Sequence, residues 1–253
     1  QAAHQGAPLL RSLKRVLASP TLTASTPVTL GEQTFSALEV LTSYLRHLRT
    51  ELSKQDVDIN RARAVVAVPA HAYGAQRLLT LEAFQGAGFC VAAMLNEPSA
   101  AGFEYTHRKA TTVSAKRTRV LVYDLGGGTF DTSLVDVIGT SHEVLASHGL
   151  GDLGGDDIDL LMATMVLNKA GIAEQDLSHT ELDDLLDQCR DAKEHLTPQS
   201  RRVLVVLRGQ DIVLPVADLY RASTPLIERS LATMAPLVGR LDDGSPDLTD
   251  IAG

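Results

Sequence analysis

Asp124 and Asp131 flank a glycine triplet, Gly126-Gly127-Gly128, within the run Val120-Leu121-Val122-Tyr123-Asp124-Leu125-Gly126-Gly127-Gly128-Thr129-Phe130-Asp131-Thr132-Ser133-Leu134-Val135. The pattern reads strand, glycine turn, strand. Glycines without Cβ let a backbone turn tightly and approach a ligand closely. Successive N–H groups in such a turn can point at phosphate oxygens. The two carboxylates supply the ligand type that Mg²⁺ prefers, often through water, and Thr129 adds a hydroxyl. An ordinary two-residue hairpin uses Asn-Gly or Asp-Gly rather than a Gly triplet between two acids. Binding of a Mg–nucleotide phosphate tail is therefore favoured over a loose structural turn.

A second glycine segment, Gly149-Leu150-Gly151-Asp152-Leu153-Gly154, fits the G-x-G-x-x-G pattern. A dinucleotide fold would need a parallel strand after the following helix, with an acid at its end. Here Ala170 to Thr180 is polar and leads into another helix. Gly151, Gly154 and Gly155 read better as a backbone approach to the same nucleotide, with a plain tight turn as the alternative. Lys14 and Glu97, taken singly, read as solvated surface charges.

The elements that must position these groups come from patterning. Pro8 to Leu17 reads as a short basic helix, and Ser19 to Thr29 as loop or edge strand. Ser36 and Glu39 form a capping box, with Phe35 and Val40 placed as a hydrophobic staple. Leu38, Leu41, Leu45, Leu48 and Leu52 then make one helical stripe. Ala64 to Val68 and Phe89 to Leu95 read as buried strands, alternating with helices over Gln76–Gly86 and Ser99–Tyr105, a parallel α/β unit. The basic stretch Lys109–Arg119 reads as a linker. Three strands follow (Val120–Leu125, Thr132–Ile138, Glu143–Ser147). Then come helices over Asp156–Lys169 and Thr180–Leu196, the latter with Thr180 and Asp183 at its start. A hairpin over Val203–Leu207 and Ile212–Val216 and a last helix over Ala217–Leu241, with Pro225 and Pro236 inside it, complete the series.

Composition bounds the function. The 253 residues suffice for one large or two medium domains. At 44% hydrophobic and 21% charged the chain is globular in composition. A net charge of −8 argues against non-specific nucleic-acid binding. With no Trp and 4% aromatics there is no stacking platform for single strands. No apolar run reaches the length of a membrane span. Cys90 and Cys189 lack partners at zinc spacing and read as small buried hydrophobes in a reducing compartment. Gln1 at the start, no signal-peptide pattern and the abrupt end at Gly253 lead us to expect a piece of a longer protein.

In order along the chain stand Val68-Pro69-Ala70, Ala75-Gln76-Arg77, Asn96-Glu97-Pro98-Ser99-Ala100-Ala101, the glycine hairpin and Gly151-Asp152-Leu153-Gly154-Gly155-Asp156-Asp157. Together they resemble the ATPase domain of the 70-kDa heat-shock chaperones (DnaK type), within the actin-like ATPase superfamily. The likeness runs from about Leu10 to the C-terminus. It implies an α/β, two-lobed, ribonuclease H-like fold, incomplete at both ends. Residues 1–117 would form part of lobe I, with 1–60 in its upper part, 61–110 in its core part and 109–118 as linker. Residues 118–253 would form lobe II, with 118–153 and 223–253 as core part and 154–222 as upper part. Asp124 to Thr129 matches the second phosphate loop, and Asp131 its second acid, both acids meeting the metal through water. Lys14 matches the catalytic lysine, and Glu97 the glutamate that orients the metal–water network. Pro69 and Arg77 match interlobe signalling positions. Gly154 and Gly155 resemble the turn at the root of the upper part of lobe II, and Lys193 and Thr197 adenosine-contacting positions.

The resemblance implies ATP or ADP, Mg²⁺ and K⁺ as cofactors, slow hydrolysis to ADP and phosphate, and a cytoplasmic location. It implies unfolded client proteins and co-chaperones as partners of the intact protein, and neither nucleic acid nor membrane. The family's first phosphate hairpin, adenine-packing strand and substrate-binding domain are expected to lie outside this stretch. Arg190 stands where the family usually has Glu, and Glu194 at a familiar Arg position. These departures keep open a degenerate, non-hydrolysing nucleotide-sensing module. An actin-like structural protein is a further alternative.

Overall fold

The structure, a computed structural model, describes residues 10, 12–55, 58–108, 118–139 and 141–238. Expectations on residues 1–9, on the linker over 109–117 and on the chain after Val238 fall outside them. The first helix, α1, is shorter than expected, Leu13–Leu17. A hairpin of β1 (Pro27–Leu30) and β2 (Gln33–Ser36) follows it; only its first strand was hinted at in the sequence. Helix α2 (Ala37–Leu52) starts at the expected box: Ser36 Oγ accepts the Glu39 N–H, and Glu39 accepts the Ser36 N–H at 2.8 Å. Its buried face, with Ala37, Leu41 and Leu45, packs with Leu17, Val28, Leu79 and Ala83 in one core cluster. Leu48, expected in that stripe, is exposed.

Strand β3 (Arg63–Val68), helix α3 (Gly74–Gly86), strand β4 (Cys90–Asn96) and helix α4 (Glu97–Arg108) form the parallel unit. The two strands are not buried as expected. Only Val66 and Val68 are buried in β3, and no residue of β4 is. Among the described residues this sheet has two strands, and α3 and α4 pack on it while Val65 and Leu95 face outward. Cys90 lies in this sheet and is exposed, correcting its reading as a buried residue, whereas Cys189 is buried as expected.

Strands β5 (Arg119–Leu125), β6 (Phe130–Ile138) and β7 (Ser141–Leu150) make an antiparallel sheet in the order β5-β6-β7. Every residue from Phe130 to Val135 is buried, so both faces of β6 are covered; α4 and the last helix supply the cover. Helix α5 (Gly155–Ala170) is closed by Gly171 at φ 68°, a left-handed position that glycine adopts freely. A 3₁₀ turn (Glu174–Asp176) precedes α6 (His179–Glu194). The N-cap of α6 is Ser178 with Glu181 at N3, not Thr180 with Asp183. Strands β8 (Arg202–Leu207) and β9 (Gln210–Pro215) pair around Arg208-Gly209, both at positive φ, as a two-residue hairpin turn requires. Their inner faces join α5, α6 and α7 (Val216–Val238) in the largest core.

Candidate functional site

The strand register pairs Leu125 with Phe130 and leaves Gly126 to Thr129 as the turn, closed by Gly126 N–H to Thr129 O at 2.9 Å. All three glycine carbonyls are taken by protein donors. Gly126 O accepts from Gly155 N (2.9 Å), Gly127 O from Asp156 N (2.7 Å) and Gly128 O from Arg15 Nε (2.8 Å). Among the described residues the N–H groups of Gly127 and Gly128 donate to no backbone carbonyl. Acceptors turned inward and donors left over are what an anion site needs. The close approach depends on glycine: a Cβ on Gly154 would lie 2.3 Å from Gly127 O and 2.7 Å from Gly128 N. The N–H groups of Gly154 and Gly155 are both committed, to Asp157 Oδ2 (2.7 Å) and Gly126 O. What these two glycines supply is closeness, not free donors.

Asp124 and Asp131 stand directly opposite each other across the β5–β6 pair. Opposed residues share a face, and like charges so placed repel; a divalent cation relieves that repulsion. Asp124 is exposed and Asp131 buried. His71 Nδ1 lies 2.9 Å from Asp131 Oδ1, an ion-pair contact on an oxygen that has no other partner. This contact, opposed by burial and reinforced by the charges of Asp131 and Glu97, raises the His71 pKa above its ordinary value. Lys14 Nζ meets Glu97 Oε1 at 3.1 Å, and Glu97 Oε2 is buried without a hydrogen-bond partner. Lys14, Pro69, His71, Gln76, Thr129 and Asp131 line one small cleft.

No cluster of three or more His, Cys, Asp or Glu able to cage a metal occurs among the described residues. The donor set nevertheless fits Mg²⁺, which keeps several waters and is usually shared with substrate phosphates. The unpartnered Glu97 Oε2 is the kind of acceptor such waters require, and the Asp124 and Asp131 carboxylates stand near the same turn.

Pro69 and Arg77 are brought together. The Arg77 guanidinium donates to Ala72 O (3.2 Å), Pro69 O (3.3 Å), Ala70 O (3.1 Å) and Asn96 Oδ1 (2.9 Å). It thereby fixes the loop that carries His71 to the residue preceding Glu97. On the other side, Lys193 donates to Gly155 O (2.8 Å) and pairs with Asp159 Oδ1 (2.6 Å). Arg190 pairs with Asp156 Oδ1 (3.1 Å). Burial raises the Asp159 pKa, against the pull of Lys193 and Arg190. Thr197 is exposed, bonds Ser200 and is not among the residues that line the cleft. Sequence reasoning did not single out Arg15, His71 or Asp157. Their only signal was adjacency to Lys14, Pro69 and Gly155, which does not say where a side chain points.

The mixed α/β architecture, with a glycine turn, opposed acids and a lysine gathered from distant elements, fits an ATPase domain of the actin-like fold. The Hsp70 protein family model matches residues 14–211. The chain is 37% identical over 221 residues to a chaperone protein HscA homologue of Laribacter hongkongensis, covering 86% of this chain and 34% of that protein. HscA homologues of Burkholderia pseudomallei and Burkholderia mallei are 35% identical over 222 residues, with the same coverages. The chain belongs to the Hsp70 family, over part of its ATPase domain, and spans about a third of the length of these relatives.

Proposed function

We propose that this chain contributes the phosphate-binding part of a two-lobed nucleotide-binding domain. In the intact protein that domain hydrolyses ATP slowly to ADP and phosphate and couples this to client binding. The observation that carries the reading is the turn itself, with its three glycine carbonyls occupied from within and the N–H groups of Gly127 and Gly128 left over beside Thr129. In this reading those N–H groups hold phosphate oxygens. Lys14 offsets the charge that develops on the transferred phosphoryl group. Glu97, through its unpaired oxygen, orients water, and Asp124 and Asp131 accept from metal-bound waters. Bound Mg²⁺ would supply charge neutralisation on the phosphates; K⁺ enters by the family likeness alone. Pro69 and Arg77 are proposed to carry the nucleotide state between lobes. Gly154 and Gly155 buttress the turn, and Lys193 and Thr197 flank the adenosine. Clients and co-chaperones would act through the whole protein. A cytoplasmic location is proposed, supported by the likeness to HscA homologues. No helix among the described residues is long and apolar enough to cross a membrane.

A non-hydrolysing nucleotide sensor is the second reading. Its support is that Arg190 and Lys193, at the adenosine-facing segment, are engaged by Asp156 and Asp159. Calorimetric titration with ATP and ADP, with and without Mg²⁺, tests the first reading. Mg-dependent binding that Asp124→Ala weakens supports it, and no heat at any nucleotide concentration removes it for this stretch of chain. Binding without phosphate release on prolonged incubation favours the sensor.

A further inference from the structure

We infer that Arg15 is a positioning residue that clamps α1 to both glycine segments at once and so sets where Lys14 points. This rests on the proposed role of Lys14 at the phosphate. The Arg15 guanidinium donates from Nε to Gly128 O at 2.8 Å and from a terminal nitrogen to Asp157 Oδ2 at 2.5 Å. The same carboxylate oxygen accepts the Gly154 N–H at 2.7 Å. One planar cation therefore ties the turn, the start of α5 and α1 together. A fork of fixed geometry can do this; a single ammonium cannot reach both acceptors in the same way.

The need for a clamp follows from the helix. Five residues are too few to hold a helix by its own hydrogen bonds. Leu17 anchors one side of α1 in the core with α2. Lys14, more than half exposed, has no such anchor. Arg15 is the next residue, about 100° round the helix, as the helical repeat requires. Fixing its direction fixes that of Lys14, whose Nζ then meets Glu97. Gly128 is shaped for this seat. A Cβ there would lie 1.7 Å from Ser12 Oγ and 3.2 Å from Arg15 Nε. Ser12 itself is held at φ 54°, a conformation most side chains avoid.

The test uses the full chain with Arg15→Gln, Arg15→Lys and Asp157→Asn. The Asn variant still accepts the Gly154 N–H, so the start of α5 stays capped. Two signals are read without nucleotide: the rate at which an amine-directed acylating reagent labels Lys14, and amide hydrogen exchange in residues 126–129. We expect Arg15→Gln and Asp157→Asn to raise both by roughly tenfold, the scale of one lost charge-assisted hydrogen bond. Arg15→Lys should restore part of the protection, and exchange in α2 and α6 should stay unchanged. Unchanged Lys14 labelling, or a rise in exchange spread over the whole chain, overturns the clamp. Binding of Mg-ADP to the same proteins is measured separately. If the unsubstituted chain does not bind, the functional reading fails while the labelling still decides the clamp.

Discussion

Lys14 Nζ lies 3.1 Å from Glu97 Oε1, joining two side chains 83 positions apart, one on α1 and one at the first turn of α4. The pair is half open to solvent on the lysine side. An exposed ion pair of this kind contributes only about 0–1 kcal/mol. Stability is thus a weak reason for the contact, and chemistry at the cleft a stronger one. Lys14→Ala should leave the melting temperature almost unchanged. In the intact protein it should cut single-turnover ATP hydrolysis by roughly 10²-fold, as when one preorganised electrostatic donor is removed. Thermal denaturation and single-turnover phosphate release, measured together, check this. A large drop in melting temperature with hydrolysis retained would make the pair structural.

Gly154→Ala should do what Lys14→Ala does not. Its Cβ would press on Gly127 O at 2.3 Å, and both partners are backbone. The Gly155 and Asp156 bonds to the turn carbonyls would have to lengthen. Overpacking of this kind costs about 1–3 kcal/mol. The expected result is a lower urea midpoint together with weaker Mg-nucleotide binding. Gly74→Ala is the control, because nothing lies within 4 Å of the added carbon. It should change neither.

Local signals made much of the fold legible. The Ser36–Glu39 box acts through residues close in sequence. The glycine hairpin was legible for the same reason. What could not be read was long-range. Apolar runs over β3 and β4 suggested full burial, but burial depends on how many layers the sheet acquires, which no window of sequence contains. The α6 cap is an exception: Ser178 and Glu181 form a short-range capping box two residues before the expected start, and Arg208 only adds a contact to Glu181. Within the site, the sequence could name Lys14 and Glu97 but not their meeting. Nor could it show that His71 lines the cleft, or that Arg15 and Asp157 join α1 to the glycine turn and the start of α5.

The two cysteines should separate cleanly in reactivity. Cys90 is exposed on β4, whereas Cys189 is fully buried, and burial pushes its thiol up to about 12. Only a thiolate attacks a disulfide reagent quickly. The native protein should titrate one equivalent of an aromatic disulfide, and the denatured protein two. Two fast equivalents in the native state would mean that the α5–α6 core opens readily. Cys90→Ser should abolish the native reaction without shifting the unfolding midpoint.

Glu181 should give stability a distinct acid limb. Its carboxylate accepts from Arg208 Nε at 2.8 Å, and from the Ser178 N–H and hydroxyl at the start of α6. The Arg208 bond first, and the Ser178 bonds next, lower its pKa from 4.5 to about 2. A carboxyl lowered on folding contributes stability that is fully present above the unfolded value and lost as pH falls through the folded one. The window is therefore from about pH 4.5 down to about pH 2. Glu181 is half-exposed, so solvent screening keeps the effect small. Glu181→Gln should flatten this part of the stability–pH profile and leave the neutral region close to its original slope. Arg208→Gln should do the same in part, since the Ser178 bonds persist. Because Arg208 also donates to Asp176 O at 2.7 Å, its loss frees the 3₁₀ turn before α6 as well. Chemical denaturation at closely spaced pH values resolves the two variants. An unchanged acid limb in both would mean that the hairpin and α6 are held together by their apolar contacts alone.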